Sequence, residues 1–81
     1  MTLEEIIQQL YPIFKDVLDN DDIVVTYQTT ASDIEEWDSL THVQLVVAIE
    51  KHFKIRFQSN EINRFKNVGE MCVAIKIKTE K

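Results

Sequence analysis

Apolar residues recur three and four positions apart in separate stretches of this chain, and nowhere does a two-residue alternation run long enough to build a sheet. Ile23 to Tyr27 and Ile75 to Lys78 are the best strand candidates. Both are short, and neither has a convincing partner. The chain is therefore expected to be all-α. A single Gly and a single Pro exclude flexible linkers and low-complexity arrays, and one Gly cannot supply a Gly-rich phosphate loop. The 81 residues are expected to form one domain, spanning 1–81. A domain of this size buries only roughly 60% of its unfolded surface. A deep enzyme cleft is hard to build from that, so size favours a binding or carrier module.

The first helix carries clear markers. Thr2 followed by Glu5 has the pattern of a capping box, and Leu3, Ile6, Ile7, Leu10, Phe14, Val17 and Leu18 fall on one stripe. Pro12 has no backbone donor and its ring crowds the Gln8 carbonyl, so a kink is expected there. The stripe resumes in phase, which predicts one bent helix and not two. A second helix is predicted from about Ser39 to Phe53, with Leu45, Ile49 and Phe53 towards the core. Val43 and Val47 lie on a different strip, shared with Glu50. Either they form a contact surface or the helix is buried all round. Ser59 is placed to cap a brief helix carrying Ile62 and Phe65. Asn67 with Glu70 opens the last helix, whose stripe is Val68, Met71, Cys72 and Ile75. The predicted architecture is a small bundle of three main helices plus one short helix, with a long loop between the first and second.

That loop, Asp19 to Asp38, has no sustained period. Ile23, Val25, Ile34 and Trp37 are its expected buried anchors. Structureless connections of about 20 residues are uncommon in compact domains and usually functional. The loop also lies in a segment of one charge. From Asp16 to Glu50 there are nine acidic residues and no Lys or Arg, whereas Lys51 to Lys81 has eight basic and three acidic residues. The acidic middle would repel nucleic acid and anionic membrane and steer in basic partners. The longest apolar run is five residues, far short of the about 20 that span a membrane. A lone Cys72 permits no internal disulfide and no spacing suggests a metal site. The acidic start Met-Thr-Leu-Glu-Glu does not resemble a secretory signal, so a cytoplasmic location is expected.

Ser39, His42, His52 and Cys72 are the candidates for chemistry. Ser39 and His42 are three apart on one helix, but no turn supplies the oxyanion hole that a Ser–His pair needs. His42 is expected to be an exposed helix residue, and Cys72 a core residue. No catalytic residue is assigned. Asp38 and Ser39 are both good N-cap types and only one is needed. If Asp38 caps, the Ser39 hydroxyl is left free at the positive end of a helix dipole, which suits a phosphate ester.

Asp38-Ser39-Leu40, ending a long acidic loop and opening the helix Val43-Gln44-Leu45-Val46-Val47-Ala48-Ile49-Glu50, resembles the acyl carrier proteins and related thiolation domains. The resemblance extends to the helix order, the loop length, the short helix near Ser59 and the link Phe53 to Phe57. It implies a carrier and not an enzyme. Ser39 matches the serine that a phosphopantetheinyl transferase, using magnesium, esterifies with the 4′-phosphopantetheine of coenzyme A. The arm's thiol would hold acyl or aminoacyl groups as thioesters for successive biosynthetic enzymes. Asp38 and Leu40 match the motif neighbours, Val43, Val47 and Glu50 the recognition face, and Glu35 and Glu36 the acidic approach. A long acyl chain would lie near Leu45, Ile49 and Ile62. Trp37 stands where many members have Gly nearby, and Gln44 and Lys51 replace residues that are usually acidic in fatty-acid carriers. A monomeric carrier for a specialised pathway, such as polyketide, aminoacyl or surface-glycan assembly, is the expectation. The alternative is an unmodified acidic helical adaptor that grips one protein partner.

Overall fold

Residues 2–62 and 65–80 are described by the structure, a computed structural model. The capping box at the N-terminus forms. Thr2 Oγ1 accepts from the Glu5 N–H at 3.1 Å, and Glu5 Oε1 accepts from the Thr2 N–H at 2.8 Å. From there α1 runs unbroken over Leu3–Leu18 with Pro12 inside it. Ile6, Leu10, Phe14 and Leu18 are its buried positions. Helix α2 spans Ser39–Phe53, the short α3 spans Ser59–Ile62, and α4 spans Val68–Thr79. Among the described residues there is no strand. No helix among the described residues is long and apolar enough to cross a membrane.

Helix α1 packs against both α2 and α4. The core between them joins its stripe to Leu45 and Ile49 of α2 and to Val68, Met71, Cys72 and Ile75 of α4. Two details of α2 differ from the sequence reading. Val46 is buried, and Phe53 is only half-buried against the core. Val43 and Val47 are exposed, at 56% and 43%, so the helix is not buried all round. At α3 the cap position is Gln58 and not Ser59. The Glu61 and Ile62 N–H groups both point to the Gln58 carbonyl, and the Gln58 N–H donates to Glu61 Oε1 at 2.8 Å. Phe65 lies beyond the end of that helix.

The long connection is held from several directions. Its four expected anchors, Ile23, Val25, Ile34 and Trp37, are all buried. Tyr11 Oη donates to the Ile23 carbonyl at 2.6 Å. One 3₁₀ turn forms at Ala31–Asp33, where Asp33 Oδ2 accepts from the Thr30 N–H at 2.9 Å. The loop also caps α4. The Val68 N–H donates to the Thr29 carbonyl and the Gly69 N–H to the Tyr27 carbonyl, both at 2.9 Å. Asn67 Oδ1 takes the Glu70 N–H. Backbone donors of the first turn of α4 are thus satisfied by its own cap residue and by a distant segment. Helices α1 and α2 end on residues in left-handed backbone conformation, Asp19 with φ 53° and Lys54 with φ 58°.

Gly69 lets that strap come close. A Cβ there would stand 3.0 Å from the Tyr27 carbonyl oxygen and 3.4 Å from Tyr27 Cβ. Ala would gain up to about 1 kcal/mol of helix propensity. Crowding a packed contact costs typically 1–3 kcal/mol, so it should prevail. Gly69→Ala is expected to lower stability by about 1 kcal/mol in denaturant unfolding, although it improves the helix locally.

Candidate functional site

The head of α2 is built by Asp38, and its geometry decides what Ser39 is free to do. Asp38 Oδ1 accepts from the Leu40 N–H at 3.0 Å and from the Thr41 N–H at 2.9 Å. Thr41 completes a reciprocal box. Its Oγ1 accepts from the Asp38 N–H at 2.8 Å and donates to the Glu36 carbonyl at 2.8 Å. These bonds, led by the Thr41 N–H, hold the Asp38 carboxyl below the ordinary carboxylate value. Sequence reasoning missed Thr41, because the usual box has Glu or Gln at that position. The hydroxyl at a three-residue offset from Asp38 was the available signal.

With the cap supplied by Asp38, Ser39 occupies the first helical position and is exposed. Its hydroxyl has no hydrogen-bond partner among the described residues. It opens onto a groove of about 450 Å³ whose walls include Ala31, Trp37, His42, Val43, Ile62 and Phe65. An exposed, unbonded hydroxyl beside an apolar-walled groove fits covalent attachment of a long flexible group. A serine engaged in capping would not. Of the three residues expected near a long acyl chain, Ile62 lines this groove, whereas Leu45 and Ile49 have no exposure.

His42 is not the exposed residue that the sequence suggested. It is half-buried, its Nδ1 faces the Trp37 indole N–H at 3.1 Å, and its Nε2 is 2.9 Å from the Ile62 carbonyl. A buried indole N–H needs an acceptor, and that need was the signal in the sequence. With both ring nitrogens engaged elsewhere, His42 is not poised as a base for Ser39. Cys72 is fully buried in the core, and burial pushes its thiol up to about 11.

The remaining residues named from sequence are distributed around α2. Leu40 is 68% exposed and lies with Val43 and Val47 among the large apolar residues open to solvent. Glu35 and Glu36 are exposed on the approach to Asp38, and Glu36 Oε2 accepts from Asn20 Nδ2 at 3.3 Å. Glu50 stands apart. It is half-buried, and its Oε2 accepts from the Phe57 N–H at 2.8 Å, so its carboxylate holds the link after α2.

Two measurements probe the cap. Thr41→Val removes both hydroxyl bonds at nearly constant shape and is expected to cost about 1 kcal/mol in chemical denaturation. The Asp38 carboxyl, being held low, contributes stability that is complete above its ordinary value of 3.8 and is lost as pH falls through its lower folded value. Thermal melts across a pH series should therefore show a steeper acid-side fall for the native chain than for Asp38→Asn.

The chain matches the family described as "Phosphopantetheine attachment site" over residues 8–75. No curated protein sequence gives a significant match. Among solved structures, it is similar to the solution NMR structure of a holo acyl carrier protein from Geobacter metallireducens. The two share 44% sequence identity with a TM-score of 0.85, over 90% of this chain and 84% of that one. The all-helical fold, the length matched and the level of identity agree, and the chain belongs to the phosphopantetheine-attachment family of acyl carrier proteins, which are carriers and not enzymes.

Proposed function

We propose that Ser39 is the attachment point for 4′-phosphopantetheine and that the chain carries acyl or aminoacyl groups as thioesters on that arm. The observation that supports this most directly is the exposed Ser39 hydroxyl, unbonded because Asp38 has taken over the capping. Ser39 Oγ attacks the coenzyme A phosphorus that bears the pantetheine and gives up its proton. The pyrophosphate P–O bond breaks and adenosine 3′,5′-bisphosphate leaves, with a phosphopantetheinyl transferase as catalyst. The tether then replaces diffusion by a high effective concentration at each enzyme visited.

Docking to the transferase and to the acyl-handling enzymes falls to Glu35, Glu36, Asp38 and Leu40 around the motif and to Val43 and Val47 along α2. Exposed valines beside carboxylates suit small, charged, reversible contacts. Glu50, already bonded to the Phe57 N–H, contributes its charge more than a free carboxylate. Gln44 and Lys51 reduce the negative charge of α2. That supports a dedicated carrier in a specialised cytoplasmic pathway over a general fatty-acid carrier. The unit spans 1–81 as a single carrier domain.

Incubation with coenzyme A, magnesium and a broad-specificity transferase should add one phosphopantetheine mass, mapped to Ser39. An unchanged mass, with a known carrier modified in parallel, overturns the reading. Ser39→Ala should abolish loading while leaving stability within about 1 kcal/mol of the parent, because Asp38 still caps.

A further inference from the structure

His42 joins three elements at the groove that Ser39 opens onto. It stands on α2, its Nδ1 meets the Trp37 indole N–H of the loop at 3.1 Å, and its Nε2 meets the Ile62 carbonyl of α3 at 2.9 Å. The chemistry of the partners fixes its protonation. An indole N–H only donates, so Nδ1 is the acceptor and carries no proton. A carbonyl only accepts, so Nε2 carries one. The two rings lie within 24° of parallel, centroids 6.0 Å apart. All three residues line the groove beside Ser39.

We propose that His42 is a positioning residue for the arm on Ser39: as the neutral imidazole protonated at Nε2, it ties the loop and α3 to α2 and so sets the groove's shape. The proposal rests on the reading of Ser39 as the attachment point. A second proton would go to Nδ1, turning that nitrogen into a donor that faces another donor. The Trp37 bond would break while the Ile62 bond survived. The tie is therefore one-sided in its response to acid. It loosens the loop wall and leaves α3 attached.

Among the described residues, the surroundings set no competing partner. From the loop and the α2 cap, Asp38 is the charged group in the groove, and its carboxylate is committed to the Leu40 and Thr41 N–H groups. Glu36, one residue before Trp37, is exposed and bonded to Asn20. From α3, Glu61 is turned to the Gln58 N–H and to Lys78, 3.0 Å away. No Lys or Arg lines the groove among the described residues. An anionic phosphodiester on Ser39, one helical turn from His42, would favour the imidazolium. Arm attachment and loosening of the Trp37 bond are then coupled.

The chain has one Trp, so its indole N–H gives a single NMR resonance. Long-range nitrogen–proton spectra of the unmodified chain should show the His42 proton on Nε2 near neutral pH. Acidification should move the indole resonance in one step, as Nδ1 gains a proton and the Trp37 bond is lost. His42→Gln keeps an acceptor and a donor but cannot charge, and should leave that resonance flat with the fold intact. The loaded chain should pass the step at higher pH than the unloaded one. A proton on Nδ1 at neutral pH, an indole resonance that moves equally in His42→Gln, or identical steps before and after loading would each overturn the proposal. The tautomer is read on the native sequence, so it decides the matter even if the variant does not fold. Mass analysis reports separately whether Ser39 takes the arm.

Discussion

Trp37 and Phe14 of α1 meet in a T-shaped pair, ring centroids 5.1 Å apart and planes at 86°, and the position of the functional end of the molecule follows from that contact. Such pairs contribute about 0.5–1.5 kcal/mol beyond the area they bury. Trp37 is the last buried residue of a segment whose one regular element among the described residues is the 3₁₀ turn Ala31–Asp33. Once it is fixed, Asp38 is delivered to the head of α2 in a defined place and Ser39 emerges beside it. Ile23, Val25 and Ile34 hold the earlier part of the same segment in the core. The carbonyls of Tyr27 and Thr29 fasten it to α4. An aperiodic stretch is thereby set between two helices by buried side chains and backbone bonds, without a sheet.

The head of α2 shows how adjacent residues of similar chemistry take different tasks. Asp38 and Ser39 are both capable caps, but only the residue with extended backbone before the first turn can serve. That residue is Asp38, with φ −118° and ψ −170°. Thr41 secures the choice by accepting from the Asp38 N–H and donating back to Glu36. A cap made entirely by neighbours leaves the serine with no structural duty. A large group carried on it therefore disturbs no bond on which the helix depends.

Much of this was legible in the sequence, for physical reasons that differ by element. The bounds of α2 and the opening of α1 were readable because caps and stripes are local signals. The loop anchors were readable because isolated large apolar residues in an acidic segment have nowhere to go but inwards. The straps from Tyr27 and Thr29 to α4 were not readable, because backbone carbonyls carry no residue signature. Val46 escaped because a helix with apolar residues on several sides does not announce which one faces inwards. His42 escaped because its partners lie five and twenty residues away. Ser39 stood out as a free hydroxyl only on the condition that Asp38 capped, and the resemblance to carrier proteins was needed to give that hydroxyl a purpose.

The left-handed ends of α1 and α2 have a consequence for anyone adapting this scaffold. Helices commonly close on Gly in that conformation, whereas a residue with a Cβ is strained there by roughly 1–2 kcal/mol. Here Asp19 and Lys54 occupy those corners, and the sole Gly is committed to the close approach of Tyr27. Both corners lie outside the groove walls. Heat tolerance can therefore be engineered at the two bends without touching the walls of the groove beside Ser39.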